Sequence, residues 1–302
     1  QSHAGAAAAR NHAFSLSHGE YIQWLDADDL LAPNKIELQL DAARVLNDPS
    51  TLLSCGWGRF MHRPSHAKFT PSLLWQDLTP TAWMVASMGH NLYMPPMTWL
   101  TSRSLALAAG PWDTTMHVDD DGEYFCRVLM ASSSVHFVPG ATAYYRATGA
   151  GSLSQIGTSD RKLAAQWKSM ELHVRYLLSL EDSARTRAAC LQYLQSWLGS
   201  FYPLRMDLLD EARALARKCG GDLQIPEFSK KYAWINWLLG ARAARHAQVF
   251  APPIRWATDR FWDRLQGIFG EADVASAAPE VALAPRSEPA RQAALDGSRP
   301  PS

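Results

Sequence analysis

Cysteine is scarce in this chain, with Cys55, Cys126, Cys190 and Cys219 as its four. They lie too far apart to make a close-spaced metal pair, and they form no evident disulfide framework, which favours a reducing, cytoplasmic setting. No run of about 18 apolar residues occurs, so no transmembrane helix is expected. No basic start followed by an apolar centre marks a signal peptide. The protein is therefore read as soluble, or as peripheral at the inner face of a membrane. Net charge is also lacking, because 29 Lys and Arg balance 29 Asp and Glu. A balanced chain has no long-range field to draw it to nucleic acid, so no nucleic-acid partner is expected. No internal repeat is visible. Gln1 rather than Met stands first, and the chain is read as a fragment, either cleaved or cut from a longer reading frame.

What is present is the composition of a globular protein, 47% hydrophobic and 19% charged over 302 residues. That length suits one sizeable domain plus an appendage. Ala-rich Gly5 to Ser17 predicts a helix, and Tyr21 to Leu25 (YIQWL) predicts a strand that runs into Asp26-Ala27-Asp28-Asp29. Pro33 is placed to open a second helix at its first turn. Further strands are expected at Thr51 to Phe60, Met97 to Thr101, Val135 to Val138 and Ala141 to Arg146, the last two separated by the turn residues Pro139-Gly140. Helices are expected after Ser102 and over Asp121 to Ala131. Such alternation argues for an α/β core. From about Asp160 to Phe269 apolar residues recur at three- and four-residue spacing, which predicts a helical bundle. Beyond about Ala272 the chain is rich in Ala, Pro, Ser and charge without periodicity, and disorder is expected. The expected division is thus a core over 1–154, a helical part over 155–270 and a disordered tail over 271–302.

Two acidic groups carry the chemistry. Asp26, Asp28 and Asp29 crowd the end of an apolar strand, where they repel one another unless a cation offsets them. Oxygen donors suit Mg²⁺ or Mn²⁺, often held by one or two carboxylates together with the phosphates of a substrate. A solvated turn capping the next helix is the plainer alternative. Asp119-Asp120-Asp121-Gly122-Glu123 then opens a predicted helix, where negative side chains favour the helix dipole without any catalytic role.

The stretch Gly5 to Gln39, with Ala-Arg-Asn, then Gly-Glu-Tyr-Ile, then Leu-Asp-Ala-Asp-Asp and a later Pro, resembles the segment of family 2 glycosyltransferases around their Asp-x-Asp motif. Gly110-Pro111-Trp112-Asp113 followed by the Asp119–Glu123 group and Arg127 resembles that family's acceptor-side pattern, which aligns Asp121 with the catalytic acid. Tyr144-Tyr145-Arg146 with Gly151-Ser152-Leu153-Ser154 resembles the loop that closes the family's core over the diphosphate. The resemblance spans roughly Gly5 to Ser154. It implies a partial, Rossmann-like GT-A core lacking its first β-α-β segment, joined to a C-terminal α-helical domain. It further implies an inverting, metal-dependent transfer of sugar from a nucleotide-diphosphate sugar to a glycan or lipid-linked acceptor hydroxyl, in polysaccharide or glycoconjugate synthesis. Asp28 would bind Mg²⁺ or Mn²⁺, Asp26 the ribose side of the nucleotide, Arg10 the nucleotide and Arg146 the diphosphate, with Asp121 as the base. Many family members carry a His shortly after that Arg as a further metal ligand, whereas Ala147, Thr148 and Gly149 stand here. The upstream half of the family's nucleotide site has no counterpart, so the longer parent is expected to be the enzyme and this piece to be inactive alone.

Two other readings compete. A non-catalytic binding or scaffold protein would use the Trp- and Arg-rich stretch Tyr232 to Leu265 to recruit a partner or a membrane surface, although core packing explains most of those tryptophans more simply. Metal-dependent phosphoester hydrolysis would need ligands for a second metal, and the sequence offers no such set.

Overall fold

The computed structural model describes residues 5–116, 118–148 and 156–268, with the side chains of the last helix described as far as Val249. The architecture is mixed α/β. Helix α1 (Ala6–Leu16) leads into strand β1 (Tyr21–Ile22), an acidic turn, strand β2 (Leu30–Leu31) and helix α2 (Lys35–Leu46). Strand β3 (Thr51–Phe60), strand β4 (Lys68–Phe69), helix α3 (Pro80–His90), strand β5 (Thr101–Ser102), helix α4 (Arg103–Ala109), helix α5 (Asp120–Ala131) and strand β6 (Ser134–Arg146) follow. Helices α6 (Asp160–Leu180), α7 (Ala184–Phe201), α8 (Met206–Lys218) and α9 (Lys230–Ile268) complete the described chain.

The main sheet has the order β2-β6-β3-β4, with β3 and β6 parallel and the two short outer strands antiparallel to their neighbours. β3 is buried along nearly its whole length, as befits a central strand covered on both faces. β1 pairs with β5 in a separate ribbon, and mutual hydrogen bonds between Leu53 and Leu100 tie that region to β3. An apolar core built on Trp99, Tyr124, Leu129 and Val135 continues without a break into Leu163, Met170, Leu194 and Leu209 of α6–α8.

The structure differs from the sequence expectation at several places. Val135–Val138 and Ala141–Arg146 belong to one strand, because Pro139-Gly140 makes a bulge in the same ladder rather than a hairpin. Ser54 faces Phe137 while Gly56 faces Thr142, so the extra residues of β6 loop out and Gly140 takes the left-handed φ of 83°. The strand expected over Tyr21 to Leu25 ends at Ile22, since only β5's two residues are there to pair with it. Met97–Thr98 lie in a single 3₁₀ turn, and pairing begins with the Leu53–Leu100 bridge, followed by the β1 ladder at Thr101. α3 and β2 had no forecast. Their signals were a Thr79 cap followed by Pro80 at the first turn, and a two-residue pairing that leaves no period. The loop Gly151–Ser154 and the tail expected from 271 lie outside the described residues.

Candidate functional site

Pairing at both ends holds the acidic turn in place. β1 is held by β5 and β2 by β6, and within the turn the Asp29 N–H donates to the Asp26 carbonyl at 3.1 Å. Between β1 and the turn sits Trp24, buried, its ring edge-on to Trp112 at 5.3 Å and to Tyr124 at 6.1 Å. Trp112 and Tyr124 stack at 4.0 Å with their planes 8° apart. These three rings cement the first acidic segment to the second beneath the surface that carries the carboxylates.

Arg10 of α1 joins the two segments directly. Its Nη2 donates to Asp26 Oδ1 and its Nη1 to Asp120 Oδ2, each at 2.7 Å, and its guanidinium lies 4.3 Å from the Trp112 ring centre. Burial disfavours its charge, but the hydrogen bond and charge of Asp26, with Asp120 and Asp121 behind, outweigh that and hold its pKa above the usual value. The next residue, Asn11, receives the Trp112 N–H on its Oδ1 and donates its Nδ2 to the Trp112 carbonyl, both at 2.9 Å. The Arg-Asn pair therefore clamps α1 to the second acidic segment, 110 residues away in sequence for the Arg10–Asp120 bond.

Asp121 sits half-buried in the first turn of α5. Burial raises its pKa, the carboxylates of Asp119 and Asp120 raise it further, and Arg10 partly offsets them. Asp119, in the left-handed region at φ 57°, accepts the Ser169 hydroxyl at 2.5 Å and lies 3.8 Å from His173 Nε2. His173 also shares a 3.0 Å hydrogen bond with the Tyr193 hydroxyl, and burial lowers its pKa to about 4. Gly122 is required here, because a Cβ would come within 2.2 Å of Asp119 Oδ1. Behind it, buried Glu123 receives Arg127 through two hydrogen bonds of 2.7 and 2.8 Å and the Tyr176 hydroxyl at 2.8 Å. Glu123 and Arg127 thus brace α5 against α6.

Asp28 is exposed, and among the described residues its carboxylate has no partner. The loop that carries it is fixed from β6. Arg146 donates its backbone N–H to Asp29 Oδ1 at 2.8 Å and its Nε to the Asp28 carbonyl at 2.7 Å, while its guanidinium stacks 4.4 Å from the Phe60 ring centre. Asp29 is buried, and its Oδ2 has no hydrogen-bond partner among the described residues. Burial raises its pKa to about 7 against the opposing Arg146 N–H, with Asp28 and Asp26 adding to the rise. Beneath the turn, Lys35 is fully buried, donates to Gln23 Oε1 and has its pKa lowered by burial to about 8.

The structure therefore gathers Arg10, Asp26, Asp120 and Asp121 into one charged cluster, with Asp28 on the adjoining turn and Arg146 supporting that turn. Among the described residues no three His, Cys, Asp or Glu side chains converge as a metal site. A lone open carboxylate fits a cation shared with a ligand's phosphates and does not fit an all-protein cage. Asp29 was read only as a member of the acidic cluster, and Asn11, Trp112 and the Ser169–His173 pair were given no role from sequence. Asn11 and Trp112 lay within the motif stretches, whereas Ser169 and His173 sit inside an ordinary amphipathic helix and had no local signal.

Residues 1–67 match the family model described as Glycosyl transferase family 2. An uncharacterized glycosyltransferase of Rickettsia typhi, RT0329, is 34% identical over 65 residues, which is 22% of this chain and 20% of that protein. Among solved structures, S. aureus TarS is similar at a TM-score of 0.46 and 13% identity, over 79% of this chain and 42% of TarS. TarS 1-349 in complex with UDP-GlcNAc is similar at a TM-score of 0.45 and 13% identity, over 79% of this chain and 70% of that one. The chain thus spans less than half the length of full TarS, and the match to the curated relative covers a fifth of it.

Proposed function

From the match of residues 1–67 to the glycosyl transferase family 2 model, we propose that this chain carries the metal-side and acceptor-side acids of an enzyme that moves a sugar from a nucleotide-diphosphate sugar to an acceptor hydroxyl. The observation that carries the reading is the Arg10 bridge, which draws the Asp-x-Asp turn and the acidic start of α5 into one cluster although they lie far apart in sequence. A turn that merely caps α2 would have no reason to meet α5.

In this reading Asp28 holds Mg²⁺ or Mn²⁺, which when bound neutralises charge building on the departing diphosphate. Asp26, kept in place by Arg10, faces the ribose side of the nucleotide. Arg10 contributes positive charge to the nucleotide while spending two N–H groups on the carboxylates. Arg146 orders the Asp28 turn and lends charge beside the diphosphate. Asp121 takes the proton of the acceptor hydroxyl as its oxygen bonds to the anomeric carbon and the bond from that carbon to the diphosphate breaks, which inverts the centre. A carboxylate with a raised pKa suits that task, because a general base works best with its pKa near the working pH. The acceptor is a glycan or lipid-linked hydroxyl, in polysaccharide or glycoconjugate assembly.

Isothermal titration of UDP, GDP and CDP with Mn²⁺ tests this reading. One nucleoside diphosphate should bind only with the metal present, and Asp28→Ala should abolish that binding. Silence across all three, from this chain and from the longer parent alike, would reject it in favour of a non-catalytic binding protein.

A further inference from the structure

α9 breaks at Gly240, whose φ of 82° and ψ of 169° are not helical, so Lys230–Leu239 stands as a short helix of its own. Its surface is unlike that of α6–α8, whose large apolar side chains lie mostly in the core. Trp234 is 60% exposed, Trp237 86%, Leu238 61% and Leu239 65%. Every other described tryptophan is buried or half-buried. Residues 234, 237 and 238 follow the i, i+3, i+4 spacing of one helix face, so they form a contiguous apolar patch. Water strongly disfavours such a patch, and its presence marks a surface that something covers.

The charge around it indicates what covers it. From Phe228 to Thr258 the chain holds five Lys and Arg (Lys230, Lys231, Arg242, Arg245 and Arg255) and no Asp or Glu, although the whole chain has equal numbers of each sign. Lys230 falls on the same helix face as Trp234 and Trp237, and Lys231 beside Leu238, so exposed ammonium groups rim the apolar patch. A tryptophan ring has an apolar body and a polar N–H, which suits the boundary between lipid tails and water. No described helix is long and apolar enough to cross a membrane, and ten residues span only about 15 Å. Apolar face, aromatic anchors, basic rim and short length together describe a helix that lies in the plane of an interface.

We infer that Lys230–Leu239 docks the protein on an anionic lipid surface, with Trp234, Trp237 and Leu238 entering the headgroup boundary and Lys230 and Lys231 paired with lipid phosphates. This inference is independent of the donor site.

Cosedimentation of the full chain with sucrose-loaded vesicles tests it, using phosphatidylcholine alone and an equal mixture with phosphatidylglycerol. The chain should sediment with the anionic vesicles and release as salt rises. Lys230→Glu with Lys231→Glu should weaken partition by at least tenfold, given about fivefold for each neutralised lysine. Trp234→Ser with Trp237→Ser should weaken it about as much, while circular dichroism and the urea midpoint stay unchanged because both rings are exposed. Failure to sediment, equal binding to neutral and anionic vesicles, or variants that bind like the wild type would each overturn the inference. So would growth of the solution mass with concentration that the tryptophan variant abolishes, which would make the patch a contact between copies.

Discussion

Replacing Arg10 by Ala removes two charge-assisted hydrogen bonds and one ring contact at a single stroke. Its side chain is 16% exposed, against 39% for Asp26 and 22% for Asp120, so the pairs are partly desolvated and salt screens them weakly. Each such hydrogen bond contributes roughly 1.5–3 kcal/mol when desolvated, and the ring contact roughly 0.5–1 kcal/mol at a partly exposed site. Discounted for the solvent at Asp26, the loss should be about 2–4 kcal/mol. Part of it reflects the repulsion of Asp26, Asp120 and Asp121 once the cation is gone, and the pKa of Asp121 should climb further. Urea unfolding of Arg10→Ala, Asp120→Asn and the double variant at pH 7.5 measures this. The double variant should be more stable than the sum of the single losses implies, by about 1–2 kcal/mol. A loss below about 0.5 kcal/mol with additive effects would show that Arg10 does not tie the two segments together.

Asp29 and His173 predict opposite pH trends. Burial raises the Asp29 carboxyl, so the folded state prefers it protonated and its contribution to stability falls as pH rises from about 4 towards about 7. Asp29→Asn should therefore stabilise the protein at pH 8 relative to its effect at pH 5, and an equal effect at both would refute the assignment. His173 is buried neutral, so the unfolded chain gains a proton first as pH falls below about 6.5, and stability drops until about pH 4. His173→Phe should flatten that acid limb in urea titrations, and a limb of unchanged slope would place its source elsewhere. Gly122→Ala pushes a methyl into Asp119, and a cost of about 1–3 kcal/mol is expected from calorimetry, with overpacking as the cause. No measurable cost would mean that Asp119 moves aside freely.

The parts of the fold legible in the sequence are those with a local period or a local cap. The helix after Ser102 shows itself because Ser102 caps it and Gly110 ends it, and the helical stretch from Asp160 by its apolar spacing. The β6 bulge was illegible, since Pro139-Gly140 reads as a turn and only the parallel partner β3 shows that the chain continues in the same sheet. The acidic turn and the α5 acids could be read as types of group, but nothing local says that Arg10 faces both. That contact depends on the packing of Trp24, Trp112 and Tyr124, three rings from two separate segments. The assumption that core packing accounts for the tryptophans of the Tyr232–Leu265 stretch fails at Trp234 and Trp237, whose helical spacing equally suits a face turned to the core or away from it.

The most direct measurement of the central claim is electron paramagnetic resonance of Mn²⁺ titrated with the chain and UDP, or whichever nucleoside diphosphate the calorimetry selects. The free-ion signal should fall well below its level in metal and nucleotide alone when all three components are present. Asp28→Ala should restore it, and Asp121→Asn should leave it low. A signal that falls as far without nucleotide, or that falls equally for Asp28→Ala, would contradict a cation shared between Asp28 and a diphosphate.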